Sequence, residues 1–153
     1  MIQTDIEFMQ IAMEEAKKAA TLGEVPIGAV IVMNKNVIGL EHNKCEVLKD
    51  ATAHAEILAI KSASKSLDNW RLNGATLYVT IEPCTMCIGA IIQSRISRIV
   101  YGAKDPKAGA CGSVYNLVAP HLLDHEVEIV AGVCKEECLD LIQTFFKERR
   151  KTA

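Results

Sequence analysis

The chain has 153 residues, half of them hydrophobic, which suits one domain (residues 1–153) with one core. Its net charge of −2, from 17 basic and 19 acidic residues, excludes a polycation that coats nucleic acid, so any such partner must be met by a local patch. The longest apolar runs, such as Val25 to Met33, are too short to span a bilayer, and the opening Met-Ile-Gln-Thr-Asp-Ile-Glu lacks the basic start of a secretory signal.

A cytoplasmic protein is therefore expected, and in that reducing compartment six cysteines point to metal ligands or buried thiols rather than disulfides. Thr4 to Thr21 reads as a helix, with Phe8, Ile11, Ala12, Ala16 and Ala19 at helical spacing. Thr4 or Asp5 can cap its start, and Gly23 closes it. Val25 to Met33 is a β-rich run, Asn34-Lys35-Asn36 suits a tight hairpin, and Val37 to Glu41 returns as the second strand. Gly28 marks either a close approach by another group or a simple packing or bulge glycine.

The polar stretch 42–52 is expected to be a loop. Thr52 is the expected N-cap of a helix that runs to about Ser66 and holds His54 and Glu56 in its first turn. Asn73-Gly74 is a turn and Ala75 to Ile81 a buried strand; Pro83 then opens a helix on which Cys84 and Cys87 share one face. Ser97 to Tyr101 is a short strand, 102–116 a glycine-rich loop, and Glu126 to Ala131 the last strand. From Val133 an amphipathic helix carries Leu139, Ile142, Phe145 and Phe146. Strands alternating with helices predict a layered α/β domain with a mixed sheet.

Two short motifs carry chemistry: Thr52-Ala-His54-Ala-Glu56 and Pro83-Cys84-Thr-Met-Cys87. A catalytic zinc site takes three protein ligands and keeps one position for water, and His54, Cys84 and Cys87 supply the three. Glu56 is left over, where a carboxylate beside an activated water can move protons. Such a water is a nucleophile, and Glu56 can take a proton from it and deliver a proton to a departing group. A closed structural site would need a distant fourth ligand such as Cys111, and would leave the glutamate without a use. Cys45, Cys134 and Cys138 read as buried or incidental, with Cys134 and Cys138 one turn apart on the last helix. His42, His121 and His125 lack partners at ligand spacing. The basic end Lys147-Glu-Arg149-Arg150-Lys151 suits a helix C-terminus as well as a nucleic-acid patch.

His-x-Glu followed by Pro-Cys-x-x-Cys resembles the signature of the zinc nucleobase deaminases. Further segments are similar to the bacterial TadA-type tRNA-specific adenosine deaminases, and the resemblance extends from about Asp5 to Lys151. They are Gly23-Glu-Val-Pro26-Ile-Gly-Ala-Val30, His42-Asn43, Glu82-Pro-Cys84, the Tyr101 to Ser113 stretch and the Phe145-Phe-Lys-Glu-Arg149-Arg150 ending. The family implies a cytidine-deaminase-like three-layer α/β/α fold with a mixed central sheet of about five strands. It also implies a homodimer with one Zn2+ per subunit. The implied reaction is hydrolytic conversion of adenosine to inosine at the wobble position of an arginine tRNA, releasing ammonia.

The alternative is a deaminase of a free nucleobase or nucleotide such as guanine or cytosine, which shares the metal motif. Val-Pro-Ile-Gly-Ala-Val and Gly-Ala-Lys-Asp favour the tRNA branch. By the same resemblance Asn43 would touch the target nucleoside and Asp105 a ribose hydroxyl of the neighbouring nucleotide. Phe145, Phe146, Arg149 and Arg150 would lie against the anticodon stem-loop, and Pro26, Ile27, Ala55 and Lys104 complete the expected contact set. Two positions depart from the family: Ala51 stands where proline is usual, and Cys111 where a small residue is usual.

Overall fold

The computed structural model describes residues 3–152. In chain order run α1 (Gln3–Thr21), β1 (Gly28–Met33), β2 (Asn36–His42), α2 (Cys45–Leu48), α3 (Ala55–Leu67), β3 (Thr76–Ile81), α4 (Thr85–Gln93), β4 (Arg98–Ala103), β5 (Glu128–Ala131) and α5 (Lys135–Thr152). The strands form one mixed sheet in the order β2-β1-β3-β4-β5. β1 is antiparallel to β2 and β3, while β4 lies parallel to β3 and β5 parallel to β4. The hairpin turns on Asn34 and Lys35, whose φ values of 51° and 65° are the left-handed pair that a type I′ turn requires. Ile31 faces Gly39 but Val32 faces Val37, so Ile38 is an extra, bulged residue of β2.

Alternation along the central strands divides the core into two layers. Ile31, Leu77, Val79 and Ile99 pack with Ala55, Ala59 and Ala63 of α3 and with Ile88 and Ile91 of α4. Val30, Val32, Tyr78 and Val100 pack with Met9, Ala12 and Met13 of α1 and with Cys138 of α5. The result is the expected three-layer α/β/α arrangement. At Gly28 a Cβ would lie 1.9 Å from the Ala12 carbonyl oxygen, so the close approach expected there is the backbone of α1.

Several boundaries differ from expectation, each for a local reason. Thr4 and Asp5 lie inside α1 rather than capping it. β1 begins at Gly28, not Val25, because the Ile27 amide bonds back to the Val25 carbonyl at 2.8 Å across Pro26, which has no amide for a ladder. Within the expected loop 42–52, Cys45–Leu48 forms a helical turn whose Glu46 and Val47 amides donate to the buried Glu24 carboxylate at 3.1 and 2.7 Å. β4 starts at Arg98 rather than Ser97 and β5 at Glu128 rather than Glu126. Val133 and Cys134 precede α5, and Cys134 takes a left-handed φ of 55°.

The two ends of the fold are tied by a buried ion pair. Arg98 donates from Nη1 and Nη2 to the Asp5 oxygens at 2.8 and 2.7 Å, and the Tyr78 hydroxyl donates to Oδ1 at 2.7 Å. Arg98 holds the Asp5 carboxyl below its ordinary value, whereas burial and the Asp5 carboxylate push the Tyr78 phenol up to about 12. Asp5→Ala leaves the Tyr78 phenol without its acceptor and Arg98 with Glu128 alone, bonded from Nε at 3.1 Å, and is expected to cost about 1–3 kcal/mol in urea denaturation. Because the folded-state value is depressed, this stabilisation is present above the unfolded carboxyl pKa, about 3.9, and is lost as pH falls through the folded value. The wild type therefore loses stability in that acid range, and the Asp5→Ala variant shows a shallower slope there.

Candidate active site

β3 delivers its chain end into the Pro83-Cys84 segment, and α3 and α4 start side by side beneath it on the same sheet face. His54 is the N-cap residue of α3 and Cys84 the N-cap residue of α4, both with extended backbone. This corrects two expectations. Thr52 does not cap α3, since its amide and hydroxyl both bond Asp50 Oδ1, at 2.8 and 2.7 Å. Pro83 lies ahead of the helix, so Cys84 and Cys87 meet as N-cap and first-turn residues rather than along a helical stripe. The Asp50–Thr52 bonds also close the tight turn that the usual proline would have stiffened, with Ala51 in its place.

His54 Nδ1 lies 3.7 Å from Cys84 Sγ and 3.5 Å from Cys87 Sγ. Zinc–sulfur bonds of about 2.3 Å and zinc–nitrogen bonds of about 2.0–2.1 Å place such donors about 3.6 Å apart around a tetrahedral ion. The donor set thus fits a metal ion with two thiolates and one imidazole. Cys111 is outside the group, which leaves a coordination position for a non-protein ligand rather than a closed four-ligand cage. Among the described residues Glu15, Glu41 and His42 also bring donors together, but Lys18 and Lys44 already pair with those carboxylates.

The charges at the centre are strongly coupled. A hydrogen bond from Cys87, then His54, lowers the Cys84 thiol to about 3, and sharing that proton pushes the Cys87 thiol up. The Cys84 thiolate in turn raises His54. Both cysteines sit at the start of α4, whose free amides and dipole favour negative sulfur. Glu56, in the first turn of α3, is only 4% exposed and lies against the Cys87 thiol. Burial pushes its carboxyl up to about 7.

Asn43 and Ala55 are buried together, because Asn43 Oδ1 accepts the Ala55 amide at 3.0 Å and so caps α3 from outside the helix. No described hydrogen bond uses Nδ2 of the Asn43 side chain, whose main-chain amide is bonded separately. Pro26 and Ile27 lie alongside, with the Ile27 carbonyl accepting the Asn43 amide at 3.2 Å. Ile27, Lys104, Asp105 and Phe146 line one cleft of 410 Å³, together with Val25, Ile81 and Leu139. Asp105 also shapes its own turn, its Oδ1 accepting the Lys107 and Ala108 amides at 3.0 and 3.1 Å. At the end of α5, Phe145 packs edge-on to Phe146 and lies under Arg149; Arg150 is exposed nearby. Glu82, which sequence reading passed over as a site residue, is buried beside Pro83 and binds the 104–116 loop. Its signal was a glutamate closing an otherwise apolar strand.

The family description of the MafB19-like deaminases matches residues 3–150. A tRNA-specific adenosine deaminase of Bacillus subtilis is 50% identical over 94% of this chain and 89% of its own length. The chain belongs to the MafB19-like deaminases, in the group of tRNA-specific adenosine deaminases. A solved structure from work on A-to-I editing by tRNA:A34 deaminases is 45% identical, with a TM-score of 0.83 over 88% of this chain and 98% of that one. A guanine deaminase structure, also from Bacillus subtilis, is 36% identical with a TM-score of 0.63, over 69% of this chain and 68% of that one.

The deaminase prepared with zinc is expected to retain about one ion per chain after dialysis, measured by atomic spectrometry. His54→Ala, Cys84→Ala and Cys87→Ala should each abolish retention, and Cys111→Ala should leave it unchanged. A chelator should also lower the melting temperature, since the ion binds the folded site.

Proposed function

We propose that this chain, one deaminase domain over residues 1–153, converts adenosine to inosine at the wobble position of an arginine tRNA and releases ammonia. His54, Cys84 and Cys87 hold one zinc ion per subunit. When bound, zinc supplies Lewis acidity that makes a water molecule a nucleophile near neutral pH. Glu56 takes one proton from the attacking water and gives it to the purine ring nitrogen, then takes the second from the hydroxyl formed on the attacked carbon and gives it to the amino group, which leaves as ammonia while the carbonyl forms. Asn43 is held against the start of α3 by its oxygen, which leaves its amide nitrogen to donate to the nucleoside.

The observation that carries the chemistry is a buried carboxyl in contact with a three-donor cluster at tetrahedral spacing. The tRNA substrate is supported by kinship with deaminases that carry that name, at higher identity and coverage than the guanine deaminase. An anticodon loop suits such a site because its bases can be splayed out of the stack and read individually. The cleft offers Phe146 for stacking and Lys104 and Lys107 for phosphate at its rim, and the basic end of α5 extends that surface. Asp105 and Ile27 line the same cleft, while Pro26 and Ala55 support its edge through Ile27 and Asn43. The protein acts in the cytoplasm as a homodimer. Among the described residues no helix is long and apolar enough to cross a membrane. The half-buried Ile57 and Leu58 of α3 and Met86 and Ala90 of α4 offer an apolar face for the second copy.

The decisive assay incubates the zinc-loaded protein with an anticodon stem-loop of arginine tRNA that has adenosine at the wobble position. Nuclease digestion and mass spectrometry should then find inosine. Glu56→Ala should lower kcat by about 10²–10⁴-fold while zinc and RNA binding persist. Consumption of free guanine or cytosine, with the RNA untouched, would instead establish a small-molecule deaminase. Replacing Arg149 and Arg150 together by Ala should weaken RNA binding and reduce the slope of log affinity against log salt by about 1.4.

A further inference from the structure

We infer that Glu82 is a positioning residue, which fixes the substrate-facing loop 104–116 against the strand end that delivers Cys84; this rests on the tRNA reading above. Glu82 is only 2% exposed and stands two residues before a metal ligand. Its carboxylate accepts the Asp105 amide at 3.2 Å, the Cys111 amide at 2.9 Å and the Ser113 amide at 3.2 Å, together with the Ser113 hydroxyl. No lysine, arginine or histidine contributes to this set. A carboxylate buried without a counter-cation is tolerated only when its oxygens are fully bonded, and here every donor comes from the one loop.

Two main-chain bonds reinforce the attachment: the Glu82 amide donates to the Ala103 carbonyl, and the Ala110 amide to the Pro83 carbonyl, each at 2.9 Å. The loop also leaves room for the carboxylate. A Cβ at Gly109 would fall 2.4 Å from Glu82 Cδ, so any side chain there displaces the glutamate or the loop.

The bonds hold the loop at both ends. Asp105 begins it, and Ser113 lies near its close. The Asp105 side chain is fixed in turn by the Lys107 and Ala108 amides, so Glu82 sets where Lys104, Asp105 and Lys107 stand in the cleft that Ile27 and Phe146 also line. Because Cys84 follows on the same short segment, the distance from the metal centre to that wall is fixed by a handful of covalent and hydrogen bonds. A base held on the wall is thereby held at a set reach from the reacting position.

Glu82→Gln tests this, because its amide group turns a donor toward amides that need an acceptor. Three quantities are measured: zinc content, kcat and KM on the anticodon stem-loop, and hydrogen exchange of the loop amides. The expected result is unchanged zinc, kcat within about threefold, KM raised about tenfold, and at least about tenfold faster exchange at Cys111 and Ser113. Ser113→Ala, which removes one donor and leaves the carboxylate in place, should raise KM about threefold. Lost zinc, or a lower kcat at unchanged KM, would overturn the inference in favour of a role at the metal ligands. Unchanged exchange would overturn it outright. If Glu82→Gln does not fold, Ser113→Ala decides, and unchanged KM and exchange there sink the idea. Failure of the wild type to convert the RNA would remove the tRNA reading alone, since the exchange result still decides whether Glu82 holds the loop.

Discussion

α3 lies so close to the sheet that a methyl group at Gly39 would meet the Ala59 carbonyl oxygen at 2.6 Å and the Ala63 nitrogen at 2.8 Å. The apolar residues that α3 buries fully are accordingly Ala55, Ala59 and Ala63, one small residue per turn, with Glu56 buried beside them at its start. Along that alanine stripe the helix backbone itself meets the strand, with Ile60 packed at the side of the core, and interiors packed at crystal density resist deformation. The placement of His54 and Glu56 follows from it, since both sit at the sheet-facing start of that helix. α4 is seated differently, through the bulk of Ile88 and Ile91, and the two starts converge on one point.

That convergence puts two helix N-termini around one anionic centre. A helix start leaves amides without internal partners, and side chains usually satisfy them. Here the N-cap side chains of both helices make no cap bond, because His54 and Cys84 point at each other and at Cys87. The amides are served from elsewhere: Asn43 takes the Ala55 amide, and the α4 amides favour thiolate at the sulfurs. The two N-cap side chains thus go to the donor cluster, and a neighbour, Asn43, does the capping.

What could be read from the sequence and what could not separate along physical lines. His54, Glu56, Cys84 and Cys87 were legible because metal chemistry demands particular side chains at short spacings. The strands and main helices were legible from periodicity, and the hairpin from Asn34-Lys35. The helical turn at Cys45–Leu48, the capping role of Asn43 and the anchoring by Glu24 and Glu82 were not. In each a side chain bonds backbone amides 12 to 31 residues away, and any residue type can supply an amide. The misplaced cap at Thr52 has a local cause: Thr52 looks like a helix cap by composition, but Asp50 is nearer and takes both its amide and its hydroxyl.

The Asp5–Arg98 pair joins groups 93 residues apart, so α1 obtains its anchor only when β4 exists. Synthesis at about 5–20 residues per second separates the two by about 5–19 s. During that interval Val30 and Val32 of β1 are already available to Met9 and Met13 of α1, whereas Tyr78 of β3 and Val100 of β4 are made only towards its end. The nascent chain therefore holds α1 with only part of its apolar face covered until the second half of the sequence has been made.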